Sequence, residues 1–413
     1  MNEELGTLYD PEVRRCPYEF FGRLRAEAPV YRLPGTEIFL ISAHAIIKKV
    51  VRDTKTFSNE LPEGETSHHN ANAAADRVLD EEGFGRRTKT IAAHDPPGHY
   101  AYRRIISGII TPALVARMEP RVRDDVRTLI AGIDASKPCD LVDALTLPLP
   151  LYVLSDMLGV DRTDFLKFKD WAAASLYQNK PPQTEEALVN DARAVAQMQH
   201  YLVDVIEDRR RNPRDDTVTK LVEAQLGGER PLTNKEILST LELLLLAGAE
   251  TTTNAMGNGF LYMIDHPGVQ AVASDAPAER MAGVVEEMLR LESSVIGIWR
   301  SVTADTAIEG VPIPKGAKLL LAYGPSNWDE AAFARARRFD LDRPNMKANF
   351  AFGSGIHTCI GNEVARMEMR VVFGEFFRAF SGLSLAVDRD AIVYQPFLTL
   401  RGPAALPVHL TRR

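Results

Sequence analysis

The sequence predicts a mainly α protein with a minor, segregated β component. Three observations carry this. Thr233-Asn-Lys-Glu236 is a capping box that opens a long helical pattern, which Pro267 stops. About 33 residues rising ~1.5 Å each give a helix of ~50 Å, long enough to cross a whole domain. Helical spacing also dominates 112–211, whereas strand-like segments are short and lie near the N-terminus and after Val302.

Taken in order, Pro17 to Ala28 reads as an amphipathic helix, and Val30-Tyr-Arg-Leu and Ile38-Phe-Leu-Ile have the content of paired strands. Ala43 to Arg52 returns to helical spacing. Residues 59–90 are rich in Glu, Asp, Asn, His and Arg and poor in large apolar residues. They read as a solvated, mobile loop, and a loop this long is functional or disordered. Pro148, Pro150 and Pro181-Pro182 punctuate the helices that follow. Ile308-Glu-Gly-Val-Pro-Ile-Pro-Lys-Gly reads as strands and turns, Ile360 to Phe380 as a helix, and Ile392 to Leu410 as a closing strand-rich patch.

The chain has 413 residues, with no linker, repeat or low-complexity tract to divide it, so residues 1–413 are expected to form one domain. No run approaches the ~20 apolar residues needed to span a membrane. The N-terminus lacks the parts of a signal peptide. Three cysteines, Cys16, Cys139 and Cys359, make no disulfide framework, which fits a reducing cytoplasm. The net charge of −7 argues against nucleic acid as a partner. The expectation is a soluble, cytoplasmic monomer.

The densest chemical signal is Phe352-Gly-Ser-Gly-Ile-His-Thr-Cys-Ile-Gly361. Its glycines permit tight turns and close approach to a flat or bulky group. A cysteine at a helix start is biased toward the thiolate, a ligand for soft metals. A small buried cysteine beside a glycine turn is the alternative.

The spacing decides between them by resemblance. Phe352, Gly353, Gly355, His357, Cys359 and Gly361 match the haem-binding loop Phe-Gly-x-Gly-x-His-x-Cys-x-Gly of the cytochrome P-450 monooxygenases. The likeness runs from about Tyr18 to the C-terminus. It implies a single cytochrome P-450 fold with the long helix crossing the haem, haem b (iron protoporphyrin) as cofactor, and Cys359 as axial ligand of its iron, where thiolate favours O–O cleavage. It also implies that 59–90 lies over the substrate pocket. The lack of a membrane anchor resembles the soluble bacterial type.

Ala247-Gly-Ala-Glu-Thr-Thr252 is an odd helix centre: Gly248 costs about 1 kcal/mol relative to alanine, and the threonines add β-branching. Taken alone, it is either a functional site or a tolerated glycine with hydroxyls bonded back along the helix. The resemblance places Ala247 and Gly248 beside the haem and gives Glu250 and Thr251 the catalytic role. An acid and a hydroxyl there form a short proton relay for splitting dioxygen.

Glu287-Met-Leu-Arg290 sets an acid and a base at i, i+3, a weak signal by itself. The resemblance makes the pair structural and adds a downstream arginine, assigned to Arg338 in Ala336-Arg-Arg-Phe-Asp340. Asp95-Pro-Pro-Gly-His-Tyr-Ala-Tyr-Arg103 resembles the family's Asp-Pro-Pro-x-His-x-x-x-Arg. His99, Arg103, Arg300 and His357 are thereby implied as partners of the haem propionates, anions that need cationic or hydrogen-bonding groups. Trp328 stands where related sequences have arginine and carries no functional reading.

By position, Leu243, Leu246, Ala247, Ile296, Gly297, Phe397 and Leu398 are expected to line a small, apolar, aromatic-tolerant pocket, with ordinary core as the alternative. The resemblance implies insertion of one oxygen atom from dioxygen into a C–H bond of a small hydrophobic substrate, by hydroxylation or oxidative demethylation. Electrons come from NAD(P)H through separate redox partners, a ferredoxin and a ferredoxin reductase, with Arg103, Arg104, Arg366 and Arg370 as a basic docking face. A peroxide-driven or nitric-oxide-reducing enzyme, or a non-catalytic haem-binding protein, is the alternative. The enzymes among these typically lack the acid–threonine pair, and the binder has no use for it.

Overall fold

The computed structural model describes residues 8, 10–60, 72–176, 180 and 183–413. The N-terminal part runs through helices α1 (Pro11–Arg15) and α2 (Pro17–Glu27), strands β1 (Val30–Arg32) and β2 (Ile38–Ile41), helix α3 (His44–Val50) and strand β3 (Phe57–Ser58). Helices α4 (Ala73–Glu82), α5 (Gly98–Ile109) and α6 (Pro112–Ala131), strand β4 (Cys139–Asp140), and helices α7 (Pro148–Leu158), α8 (Phe165–Ser175), α9 (Glu185–Arg211) and α10 (Thr217–Glu223) follow. Strands β5 (Gln225–Leu226) and β6 (Arg230–Pro231) precede the long helix α11 (Asn234–Asp265), then α12 (Pro267–Asp275) and α13 (Ala278–Leu291). The C-terminal part holds β7 (Ile298–Val302), β8 (Thr306–Ile308), β9 (Val311–Ile313), β10 (Lys318–Leu321), α14 (Tyr323–Ser326), α15 (Asn362–Ala379), β11 (Phe380–Leu385) and β12 (Pro407–Arg412).

These elements fall into two compact units, each assembled from separate stretches of chain. The first comprises residues 1–58, 117–147 and 251–413, and the second residues 59–116 and 148–250.

The first unit holds the sheets. Five strands run in the order β1-β2-β10-β7-β3, with β2 and β10 parallel and the other pairs antiparallel. The central strand β10 is apolar after Lys318, and its surroundings show why. Side chains alternate between faces, and both faces are covered. Leu319 and Leu321 pack with Phe39, Ile41, Ile47 and Phe57, while Leu320 packs with Phe21, Leu33 and Leu40. A three-stranded sheet, β11-β12-β4, closes the C-terminal end.

The second unit is helical apart from the β5–β6 pair. The capping box is present as expected. Thr233 Oγ1 accepts from the Glu236 N–H at 3.2 Å, and the Glu236 carboxylate accepts from the Thr233 N–H at 2.8 Å. Glu236 also takes two bonds from Arg230, at 2.8 Å each, and one from the Tyr102 hydroxyl at 2.5 Å. Arg230 and the further donors outweigh burial and hold the Glu236 carboxyl far below its usual range. The start of α11 is thereby tied to α5.

One expectation needs correction. Within the stretch read as a mobile loop, Ala73–Glu82 is a helix; residues 61–71 of that stretch lie outside the described residues. Asn72 accepts from the N–H groups of Ala74 and Ala75, and three alanines in a row favour the first turn. Ala75 and Leu79, at i and i+4, are buried, and α4 packs on α9. Two small contact residues on an otherwise polar segment leave almost no hydrophobic signal in the sequence. Among the described residues no helix is long and apolar enough to cross a membrane.

Candidate active site

The glycine loop lies in the first unit, between the sheet and α15. Gly353 and Gly355 have φ of +68° and +75°, conformations that side chains resist. A Cβ on Gly355 would sit 3.0 Å from the carbonyl oxygen of Val51, and one on Gly353 would sit 3.3 Å from the Tyr323 ring. The loop is therefore pressed against α3 and α14 by backbone alone. The Cys359 N–H donates to the Phe352 carbonyl at 2.9 Å, and the Cys359 carbonyl accepts from Asn362 at 2.7 Å. Gly361 caps α15, and the Cys359 side chain is exposed just ahead of that helix. Eighteen residues of aligned peptide dipoles begin there and favour the thiolate.

Phe352 is fixed from behind. The Arg366 guanidinium lies 4.4 Å from its ring centroid and is itself held by Glu286 at 2.5 Å and Glu363 at 3.1 Å. Arg370 is likewise paired, with Glu119 at 3.2 Å. Neither is the freely presented charge that a basic docking face calls for; Arg366 supports the loop instead. Arg103 is partly covered and Arg104 is exposed, both on α5.

Arg300 is buried on β7 and donates to the Trp299 carbonyl at 2.8 Å. It also lies beside Tyr323: burial pushes the Tyr323 phenol up, and the Arg300 charge pulls in the opposite direction. Tyr323 thus touches both Arg300 and the Gly353 turn, a link that sequence reading missed. His357 closes a short 3-10 turn in the same loop. In the second unit, His99 and Arg103 share one face of α5. Burial, reinforced by Arg103, lowers the pKa of His99 and keeps the imidazole neutral, a state that can still donate one hydrogen bond.

Helix α11 carries the second group. It is covered on most sides, with Leu241, Glu242, Leu245, Ala249, Thr252 and Thr253 all buried. Leu243, Ala247, Glu250 and Thr251 are instead partly or fully open. Their spacing of i, i+4, i+7 and i+8 puts them on one helical face. Leu246 is partly open beside them. Gly248 has a packing reason of its own, since a Cβ there would lie 2.8 Å from Leu154 on α7.

The remaining pocket candidates sit in packed surroundings. Ile296 and Leu398 belong to the cluster around Leu320, and with Phe397 they border a cavity of about 20 Å³, room for about one water. A Cβ on Gly297 would meet Leu320 at 2.8 Å and the Leu321 carbonyl at 2.9 Å, so this glycine admits β10 to close contact. Arg401, buried, anchors the end of this loop through Glu292 at 2.6 Å and Tyr394 at 2.9 Å.

The structural triad is present with a different third member. Glu287 and Arg290 are fully buried and joined by bonds of 2.7 and 2.9 Å. Glu287 also accepts from Arg343 at 3.1 Å and from the Asp340 N–H at 2.9 Å. Arg343, not Arg338, is the downstream arginine. The Arg338 side chain is exposed, and only its carbonyl takes part, accepting from Arg290 at 3.0 Å and Arg343 at 2.9 Å. The turn after Asp340 reverses the chain and brings Arg343 inward, an outcome of backbone path that residue type does not reveal. Trp328 now has a role: it stacks on Tyr18 at 4.5 Å, donates to the Leu291 carbonyl at 3.0 Å and lies under Arg337.

Glu368, on α15, is a buried acid outside these groups. Burial pushes its carboxyl up to about 8, and its Oε2 has no hydrogen-bond partner among the described residues. Its folded pKa exceeds the unfolded value, so this contribution to stability is full at low pH and is lost as pH rises toward about 8. Glu368→Gln is therefore expected to be more stable than the parent chain at about pH 9, by roughly 1 kcal/mol or more, with the difference vanishing near pH 4. Thermal unfolding across that range checks it; an unchanged pH dependence contradicts the burial of an ionisable group there.

The residues fit haem. A single exposed sulfur donor suits a metal whose other ligands come from a macrocycle, and among the described residues no cluster of three His, Cys, Asp or Glu offers a cage of its own. The left-handed glycines fold the loop away from side-chain obstruction.

Comparison with known proteins agrees. The family model described as "Cytochrome P450" matches residues 14–275 and 280–406. The chain is 31% identical over 375 residues to linalool 8-monooxygenase of Pseudomonas putida, covering 90% of this chain and 91% of that one. It is 33% identical over 374 residues to erythromycin C-12 hydroxylase of Saccharopolyspora erythraea, covering 90% and 88%. The solved structure of cytochrome P450 CYP109Q5 from Chondromyces apiculatus superposes with a TM-score of 0.83 at 31% identity, over 98% of each chain. Both the helix-dominated fold and the sequence motifs are thus accounted for, and the chain belongs to the cytochrome P450 family, whose members are haem-dependent monooxygenases.

Proposed function

We propose that this monooxygenase inserts one atom of dioxygen into a C–H bond of a small hydrophobic, aromatic-tolerant substrate, with Glu250 and Thr251 as its proton relay. The observation that carries the reading is the open face of α11, where two apolar residues, Leu243 and Ala247, run directly into Glu250 and Thr251. Haem, when bound, supplies the iron that activates dioxygen. Cys359 would hold that iron, with His99, Arg103, Arg300 and His357 as partners of the propionates. Leu243, Leu246 and Ala247 orient the substrate and exclude water. Glu250 passes a proton from its carboxyl to Thr251 Oγ1 as that hydroxyl gives its own proton toward oxygen, and solvent reprotonates Glu250. Electrons come from NAD(P)H through a separate ferredoxin and its reductase, and Arg104, exposed on α5, offers the carrier a basic group.

The test compares product formation with carrier proteins and NADPH against peroxide alone, over small aromatic and aliphatic substrates. Carrier-driven turnover supports the reading. Turnover with peroxide only, or ligand binding without turnover, overturns it. Thr251→Ala is expected to keep haem and substrate binding while product per NADPH falls roughly tenfold or more and released peroxide rises. Undiminished coupling removes Thr251 from the relay.

A further inference from the structure

A second, polar cavity lies in the first unit among α6, α12, α13 and α15, and we propose that it binds a small oxyanion: inorganic phosphate or the phosphate group of a small ester. It has a volume of about 140 Å³ and is bordered by Glu119, Arg123, Ser274, Arg370, Gly374 and Arg378. A water needs only ~10–15 Å³ of such space, so the cavity has room for a tetrahedral anion with part of its hydration.

The charges around it do not cancel. Glu119 accepts from Arg123 at 2.6 Å and from Arg370 at 3.2 Å. Glu375 accepts from Arg123 at 2.7 Å, Arg378 at 2.5 Å and Arg127 at 2.9 Å. Four guanidiniums thus share Glu119 and Glu375, with Asp124 a further 3.8 Å partner of Arg127, which leaves a surplus of one positive charge and favours an anion. Burial alone would raise the Glu375 pKa, but Arg127 and Arg123 hold it below its usual value, so this carboxylate stays charged and acts as a spacer between arginines.

Donors are in excess as well. A guanidinium carries five N–H groups. Arg370 gives one bond to Glu119, and Arg378 gives one to Glu375. The Ser274 hydroxyl accepts from Arg413 at 2.6 Å, which leaves its own O–H to donate. Planar, bidentate donors of this kind suit phosphate oxygens. Between Arg370 and Arg378, one turn from each on the same face of α15, the wall is bare: a Cβ on Gly374 would meet nothing within 4 Å. The site lies apart from the residues assigned to oxygen chemistry and does not depend on that assignment.

The test titrates inorganic phosphate, and separately phenyl phosphate, into the haem-loaded protein by calorimetry, against sodium chloride of equal ionic strength. One saturable site is expected for at least one of the two. Tighter binding of inorganic phosphate assigns the free anion, and tighter binding of phenyl phosphate assigns an ester. R370Q/R378Q is expected to lower the affinity at least about tenfold, the scale of losing charge-assisted bonds. Gly374→Leu fills the cavity at a helical position with open space, leaves every charge in place and is expected to abolish binding. Stabilisation by phosphate that persists in both variants is the general exclusion effect of this salt and overturns the proposal, as does a response equal to that of chloride.

Discussion

Cys359→Ala is expected to abolish turnover while leaving the fold intact. In the parent chain, reduced protein under carbon monoxide should show the red-shifted Soret band of thiolate-ligated haem, and the variant should lose it. The structure separates function from stability here. The Cys359 side chain is exposed, so its removal leaves no core cavity, and the contacts that shape the loop are the backbone bonds to Phe352 and Asn362. The unfolding free energy of the haem-free protein is therefore expected to stay within about 0.5 kcal/mol of the parent, as for surface substitutions. A Soret band without the shift in the parent chain, or one that survives the substitution, contradicts ligation by Cys359.

Removing Arg343 is expected to cost about 3–5 kcal/mol, enough to unfold a marginal domain, because it leaves part of a buried carboxylate uncompensated. Glu287 is fully buried, and Arg343 is 4% exposed. Arg343→Ala should shift urea unfolding strongly to lower concentration or prevent accumulation of folded protein, and Glu287→Ala should do the same. Arg338→Ala is the internal control. Its side chain is exposed and its structural contribution is a carbonyl, which alanine retains, so the expected change is within about 0.5 kcal/mol. Equal losses at Arg338 and Arg343 would return the third position to Arg338.

The glycine–cysteine loop was legible because its signal is local. Two glycines with positive φ and a cysteine ahead of a helix occupy ten consecutive residues, and the backbone conformation that calls for glycine is itself local. The capping box of α11 is local in the same sense, since Thr233 and Glu236 satisfy each other within one turn. The open stripe on α11 needed only helical spacing to read, once its residues were singled out.

What failed to be legible depends on chain path. The triad arginine was misplaced by five positions because Arg338 and Arg343 are the same residue type in one short segment, and only the turn after Asp340 decides which one reaches Glu287. Helix α4 was missed because its contact face is Ala75 and Leu79, too small a patch to stand out in a polar segment. The sequence by itself determined the helix-dominated fold and made the glycine–cysteine loop and the acid–threonine pair stand out, each encoded within a few consecutive residues. Tertiary structure alone decided which arginine is buried, why Tyr323 joins Arg300 to the Gly353 turn, and how four arginines come to share two carboxylates. Those depend on groups up to hundreds of residues apart, whose meeting is set by packing and burial rather than by spacing along the chain.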